Sequence, residues 1–296
     1  KDIHICGNRN SFSKTDHDAT FMHMKEDYMR NGQLKPGYNV NVATCSDFII
    51  GSYISSDRND VHTLIPFMEQ LRKNYAGRNI GSVVVDSGYE SEENYCWFEA
   101  HPETELYVKP SNHEVAKHRK YRTDISRREN MAYDAQADAY TCANGKLLQR
   151  TREKKTHTAS GLEIATSVYE CNECDGCPLK EKCIRACGSK KPLEERYKVI
   201  YVSKRFARQR QAMEAKISSP KGCLLRVNRS IQAEGNFAYV KQDLDFRRFL
   251  LRGNMKVAAE WLLFSLALNI LHLHHKIQNR RLGSDLKIPS SFPAGL

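Results

Sequence analysis

Three groups of side chains in this 296-residue chain have the types and spacing for chemistry. The first is Asp86, in Gly81-Ser82-Val83-Val84-Val85-Asp86-Ser87-Gly88-Tyr89. Three consecutive valines between small residues read as a short strand buried on both faces. Asp86 falls at its carboxyl end, where the active sites of open α/β sheets gather. The plainer reading is a strand closed by an Asp-Ser-Gly turn. The second is Glu234, on a helix predicted over residues 226–241. Glu234 and Lys241 lie seven residues apart, on one face two turns apart, with Ile231 and Ala238 flanking it. The carboxylate would then turn toward the core, where it is costly unless paired or bound to a metal. A surface Glu on a basic helix is the alternative. The third is Cys171-x2-Cys174-x2-Cys177-Pro178-x4-Cys183. Four thiolates this close can converge on one tetrahedral ion, and zinc is the expected occupant. An iron–sulfur cluster is the rival, although the step to Cys183 is longer than in ferredoxin-like runs. Cys187 is an alternative fourth ligand. The expected role is structural, with Lys180, Lys182, Arg185, Lys190 and Lys191 making a basic platform for phosphates.

The elements that must position these groups follow from patterning. Residues 38–44 alternate apolar and polar, and residues 48–54 read as the antiparallel partner. Asp60 is the expected N-cap of a helix carrying Val61, Leu64, Ile65, Met68 and Leu71 on one face. After the strand with Asp86, Ser91 caps a short helix with Glu92 and Glu93 in its first turn. Residues 106–108 form a further strand, stopped by Pro110. The result is a mixed sheet with helices on it. From residue 111 the chain turns basic and poor in apolar residues. Asn144-Gly145 signals a hairpin, a strand follows near residues 197–202, then a basic helix over 204–216 that Ser218-Ser219-Pro220 breaks. Residues 224–277 read as helical. Domains are expected at 1–36 (irregular), 37–110 (first part of an α/β core), 111–203 (basic, cysteine-rich insertion), 204–280 (helical remainder of the core) and 281–296 (tail).

Lys and Arg (46) exceed Asp and Glu (35), for a net charge of +11. That excess favours a polyanionic partner, nucleic acid before membrane. The most apolar run, residues 261–268, is too short to span a bilayer. The ten cysteines, with four at metal-ligand spacing, fit a reducing cytoplasm better than a disulfide scaffold. His272, His274 and His275 end an apolar helix beside Lys276, Arg280 and Arg281, and are expected to face solvent or phosphate.

Several segments together resemble the DDE transposases of bacterial insertion sequences, in particular the branch usually called the eleven-eighty-two family. They are V-V-V-D-S-G-Y-E-S-E-E-N around Asp86 and R-S-I-Q-A-E-G-N-F-A-Y-V-K-Q-D around Glu234. S-K-T-D-H-D-A-T-F-M-H-M-K-E-D, N-G-Q-L-K-P-G-Y-N-V, F-R-R-F-L-L-R-G-N-M-K-V and the cysteine-rich Y-E-C-N-E-C-D-G-C-P-L-K-E-K-C agree with them.

The resemblance implies an RNase H-like mixed sheet with flanking helices, interrupted by the basic, cysteine-rich insertion. It implies Asp86 as second and Glu234 as third of three acids that bind Mg²⁺ (or Mn²⁺), and Lys241, Arg229 and Arg226 as phosphate contacts. Related transposases often carry Tyr, Arg and Lys at seven and four before the third acid and seven after it. This chain keeps Lys241 but has Val227 and Ser230 at the earlier positions, with Arg229 shifted by one. The first acid belongs on a strand ahead of residue 38, where Asp16 and Asp18 are the nearby candidates in a setting that does not read as a strand. A fragment beginning after the first acid is therefore expected. The implied activity is metal-dependent cleavage and transfer of DNA strands, in a bacterial, nucleoid-associated setting, by a synaptic homodimer. A non-catalytic, zinc-stabilised DNA-binding remnant and an RNase H-like nuclease are the rival readings.

Overall fold

A computed structural model describes residues 6, 9–24, 31–185, 191–283 and 286–287; Cys187 lies outside the described residues. The architecture is mixed α/β with several separate sheets. It divides into two compact units. The first comprises Lys1–Glu90, Asn94–Val108 and Ala215–Leu296; the second comprises Ser91–Glu93 and Lys109–Glu214.

In the first unit β1 (Thr20–Met22) pairs with β2 (Lys35–Gly37). The next two strands, β3 (Asn39–Cys45) and β4 (Phe48–Ser55), form an antiparallel hairpin. Its turn residues, Ser46 and Asp47, both have positive φ (52° and 72°), the sense that matches the twist of the flanking strands. Helix α1 (Leu64–Asn74) buries Leu64, Phe67, Met68 and Leu71. A Cβ on Gly51 of β4 would stand 2.5 Å from Leu71 Cδ2, so the missing side chain lets the helix approach the strand. Thr63, rather than Asp60, precedes α1; Asp60 opens a separate 3₁₀ turn, Asp60–His62.

Strands β5 (Ser82–Val85) and β6 (Glu105–Val108) run parallel, with Val85 opposite Val108 and α2 (Glu92–Glu99) between them in sequence. The sequence reading joins all four core strands in one sheet. The structure keeps β3–β4 and β5–β6 as two-stranded sheets. With one neighbour each, the valines of β5 are half-buried rather than enclosed on both faces.

The chain re-enters this unit at the end of α3 (Lys204–Ser218). Ser219 then caps α4 (Pro220–Arg229), its hydroxyl accepting the Gly222 N–H at 3.1 Å, with Pro220 in the first turn. The helix continues through a π segment, Ser230–Glu234, a short α segment, Gly235–Ala238, and a second π segment, Tyr239–Asp243. Last comes α5 (Asn254–Gln278), whose Asn269 amide exchanges two 2.8 Å bonds with the Ile49 backbone of β4. By length and composition alone α5 could cross a membrane. One face, however, is core: Val257, Trp261, Ser265 and Leu268 are buried, and Trp261 and Leu268 pack with Ile49 and Val240. The buried Glu260 carboxylate accepts the Leu250 and Leu251 N–H groups.

The second unit holds a five-stranded antiparallel meander of β7 (Ala132–Asp134), β8 (Ala139–Thr141), β9 (Leu147–His157), β10 (Glu163–Cys171) and β11 (Lys198–Val202). Its core contains Tyr140, Leu148, Tyr169, Cys171, Cys174, Ile200 and Val202. Asp138, in a left-handed turn conformation (φ 45°), accepts bonds from Tyr133, Tyr169 and Lys204. These donors, Lys204 first, hold its carboxyl down at about 2.

Candidate acidic site and cysteine cavity

Asp86 follows β5 directly, and its Oδ1 accepts the Gly88 N–H at 2.8 Å. The turn reading of Asp-Ser-Gly is therefore correct as local structure. A second carboxylate meets it there. Asp60 Oδ2 and Asp86 Oδ1 each lie 3.0 Å from the place a Cβ on Gly88 would occupy. Any side chain at residue 88 would wedge between two acids. Asp60 is held from behind by the Asn39 amide at 2.7 Å. The buried Asn41 accepts both the Thr63 hydroxyl, at 2.8 Å, and the Tyr89 hydroxyl. Burial, then Asp60, then Asp86 push the Tyr89 hydroxyl above its ordinary range, with Arg229 opposing them. Asp60, Asp86 and Arg229 thus all bear on one tyrosine. Asp60 is the residue sequence reasoning missed as part of this site: its neighbours mark it as a helix cap, and nothing local shows that Gly88 lies against it.

Glu234 is placed differently from the expectation. It is exposed, and its Oε1 accepts Arg229 at 2.9 Å. From Leu224 onward the buried residues are Leu224, Asn228, Gln232, Asn236 and Val240, a four-residue step. In a 3.6-residue helix that step drifts about 40° per turn. The π segments take more residues per turn and cancel the drift. The face predicted to turn inward is instead exposed throughout: Ile231, Glu234, Ala238 and Lys241 all lie on the surface. Lys241 is exposed, its Nζ 6.0 Å from the Phe237 ring centre. Arg226 Nη2 contacts Cys223 Sγ at 3.7 Å, and its buried Nε has no hydrogen-bond partner.

Asp16 and Asp18 are structural. Asp16 accepts the Tyr38 hydroxyl at 2.6 Å, and Asp18 accepts the Asn254 N–H at the start of α5. His272, expected at a solvated helix end, is half-buried and shares a 2.8 Å bond with Asn236; burial lowers its pKa. Lys276 is buried and pairs with Asp47 at 3.5 Å.

In the second unit Cys142, Cys171, Cys174, Cys177 and Cys183 line one cavity of about 20 Å³, with Lys146, Lys180 and Lys198 among the other walls. As the side chains stand, no three His, Cys, Asp or Glu among the described residues surround a point that would hold a metal ion. The same is true of the acidic site. The basic strand β9 is less free than its composition implies. Arg150 pairs with Glu153, Arg152 with Glu170 and Lys155 with Glu163.

Asp60 and Asp86 thus pair at the end of β5, and carboxylate oxygens are the ligands that hard divalent cations take. Residues 141–274 match the family model described as Transposase DDE domain. The match covers a little under half of the chain, includes Glu234 and the cysteines, and leaves out Asp60 and Asp86. It supports a DDE transposase, and with it DNA as the partner and a divalent metal such as Mg²⁺ as the cofactor such domains generally use. No curated protein and no solved structure matches the chain.

Proposed function

We propose that this chain carries out metal-dependent DNA cleavage and strand transfer as part of an insertion-sequence transposase of the eleven-eighty-two branch. The match over residues 141–274 carries the reading. The meeting of Asp86 and Asp60 at the end of β5 supports it. The core is RNase H-like: β3 and β5 each pair on one side only among the described residues, which accords with a first-acid strand between them.

The donor set fits the ion, since Mg²⁺ is held by one or two carboxylates together with substrate phosphates. Asp86 and Glu234 would hold it, with Asp60 beside them. When bound, the ions activate the attacking oxygen and stabilise the leaving one. Asn39 keeps Asp60 turned toward Asp86, and the Gly88 N–H fixes the Asp86 carboxylate. Arg229 restrains Glu234 in the free protein and is placed to exchange that carboxylate for a DNA phosphate. Lys241 and Arg226 contact the DNA backbone. The cysteines hold a structural zinc ion, and a synaptic homodimer joins the element ends.

The test is nicking of element-end DNA in Mg²⁺, comparing the protein with Asp86→Asn. Cleavage that disappears in the variant, with DNA retention unchanged, supports the assignment; equal cleavage by both removes it. A second reading, DNA binding without catalysis, is favoured by the absence of three converging acids among the described residues. Gel shifts without cleavage in Mg²⁺ or Mn²⁺ would establish it.

A further inference from the structure

The zinc reading above, on which this inference rests, names four ligands in one sequence run. The fold delivers a fifth cysteine to the same place. Cys142 follows β8 and opens the turn to β9, closed by Cys142 N–H to Lys146 O at 2.9 Å. Thr141 lies opposite Leu147, Gln149 opposite Glu170, and Cys171 opposite Lys198. That register brings Cys142, Cys171 and Lys198 to one end of the sheet.

Three of the thiols are buried: Cys171 (2% exposed), Cys174 (9%) and Cys183 (9%). Two carry backbone donors. Cys171 sulfur accepts the Glu173 N–H, and Cys174 Sγ accepts the Lys198 N–H at 3.4 Å. Such donors orient a metal-bound thiolate and offset its charge. Among the described residues the fourth ligand then falls to Cys142 or Cys177, both half-buried. Cys142 packs against the core cluster that contains Cys171, Cys174 and Ile200, of which neither Cys177 nor Cys183 is a member; Cys183 is the more buried of those two.

A second observation asks for negative charge here. Lys198 is buried, and among the described residues its Nζ donates to two carbonyls, Ser126 O at 2.7 Å and Cys183 O at 3.0 Å. The nearby carboxylate of Asp124 is taken by Arg127 and Arg185. A buried cation needs a counter-charge, and a tetrathiolate around a divalent ion carries net −2. The cavity, about 20 Å³, is the size of one ion or one water.

We propose that this cavity binds one Zn²⁺ through Cys142, Cys171, Cys174 and Cys183, with Cys177 outside the ligand set. Binding turns the four thiols inward, each sulfur forming one bond to the ion and releasing its proton to water; nothing is oxidised or reduced. The metal would thereby clip the β8–β9 turn to the end of β10 and the segment after it.

Differential alkylation of the wild-type chain, with and without Zn²⁺ and mapped residue by residue by mass spectrometry, tests this without a variant. Zinc should protect Cys142, Cys171, Cys174 and Cys183 and leave Cys177 as reactive as Cys45. In Co²⁺-loaded protein, Cys142→Ser should weaken metal affinity by more than about 10-fold and lower the thiolate charge-transfer absorption, while Cys177→Ser leaves both unchanged. Protection of Cys177 or Cys187 in place of Cys142 overturns this ligand set and leaves the zinc reading standing. No protected cysteine and no retained metal overturns the zinc reading itself.

Discussion

The acidic site and the cysteine cavity are built in opposite ways. The acidic site draws Asn39, Asn41, Asp60, Asp86 and Arg229 from distant parts of the chain: side-chain hydrogen bonds tie Asn39 to Asp60 and Asn41 to Thr63 and Tyr89, the Gly88 N–H holds Asp86, and Arg229 acts on Tyr89 through its charge. It is polar and half-open. The cysteine cavity draws most of its walls from one short run, buries three sulfurs, and is ringed by lysines. The contrast follows from the ligands. Carboxylates serve hard ions that stay partly hydrated and exchange with substrate. Thiolates close around a softer ion that remains. The first arrangement suits turnover and the second suits a structural clip.

Asp86→Asn breaks the comparison hardest. It should reduce metal-dependent nicking by more than about 10³-fold, with little change in the unfolding midpoint. If stability falls instead, the carboxylate serves the turn rather than chemistry. Zinc removal is expected next in size. At saturating zinc, unfolding of the second unit should gain about 3 kcal/mol over chelated protein, and saturating Mg²⁺ should shift the first unit far less. Equal responses to both metals would erase the distinction. Asn41→Ala strips acceptors from Thr63 and Tyr89 and should cost about 2–3 kcal/mol in urea unfolding.

The smallest effect belongs to Asp138. Its folded pKa lies at about 2 against an ordinary 3.8, so its contribution is complete above the ordinary value and fades as pH falls through about 2. Asp138→Asn should cost about 1–2 kcal/mol at neutral pH and nothing near pH 1. A constant difference across that range would assign the loss to packing.

What the sequence made legible was local. The β3–β4 hairpin, β5 with Asp86 at its end, and the Cys-x2-Cys steps are all written in short contiguous runs. Strand β9 was not, because ten of its eleven residues are exposed and no apolar alternation marks it. Asp60 reads as a cap in the sequence, since its contact with Gly88 spans the whole of α1 and β5. Cys142 stood too far from the other cysteines for spacing to include it. Glu234 lies on the outer face because this helix turns inward the polar Asn228, Gln232 and Asn236, while the apolar Ile231 and Ala238 that mark a core face in the sequence are exposed.

The wider winding of the π segments bears on which insertions and deletions this chain can accept. Each π segment accommodates about one residue more than an α-helix of equal rise. Removing one residue from the exposed part of residues 239–243 lets the helix relax to α geometry, leaving Asn228, Gln232 and Asn236 on their partners. The same deletion inside α4 would turn everything after it by about 100° and take all three off them. Length change should therefore be tolerated at the two wide turns and rejected one turn earlier.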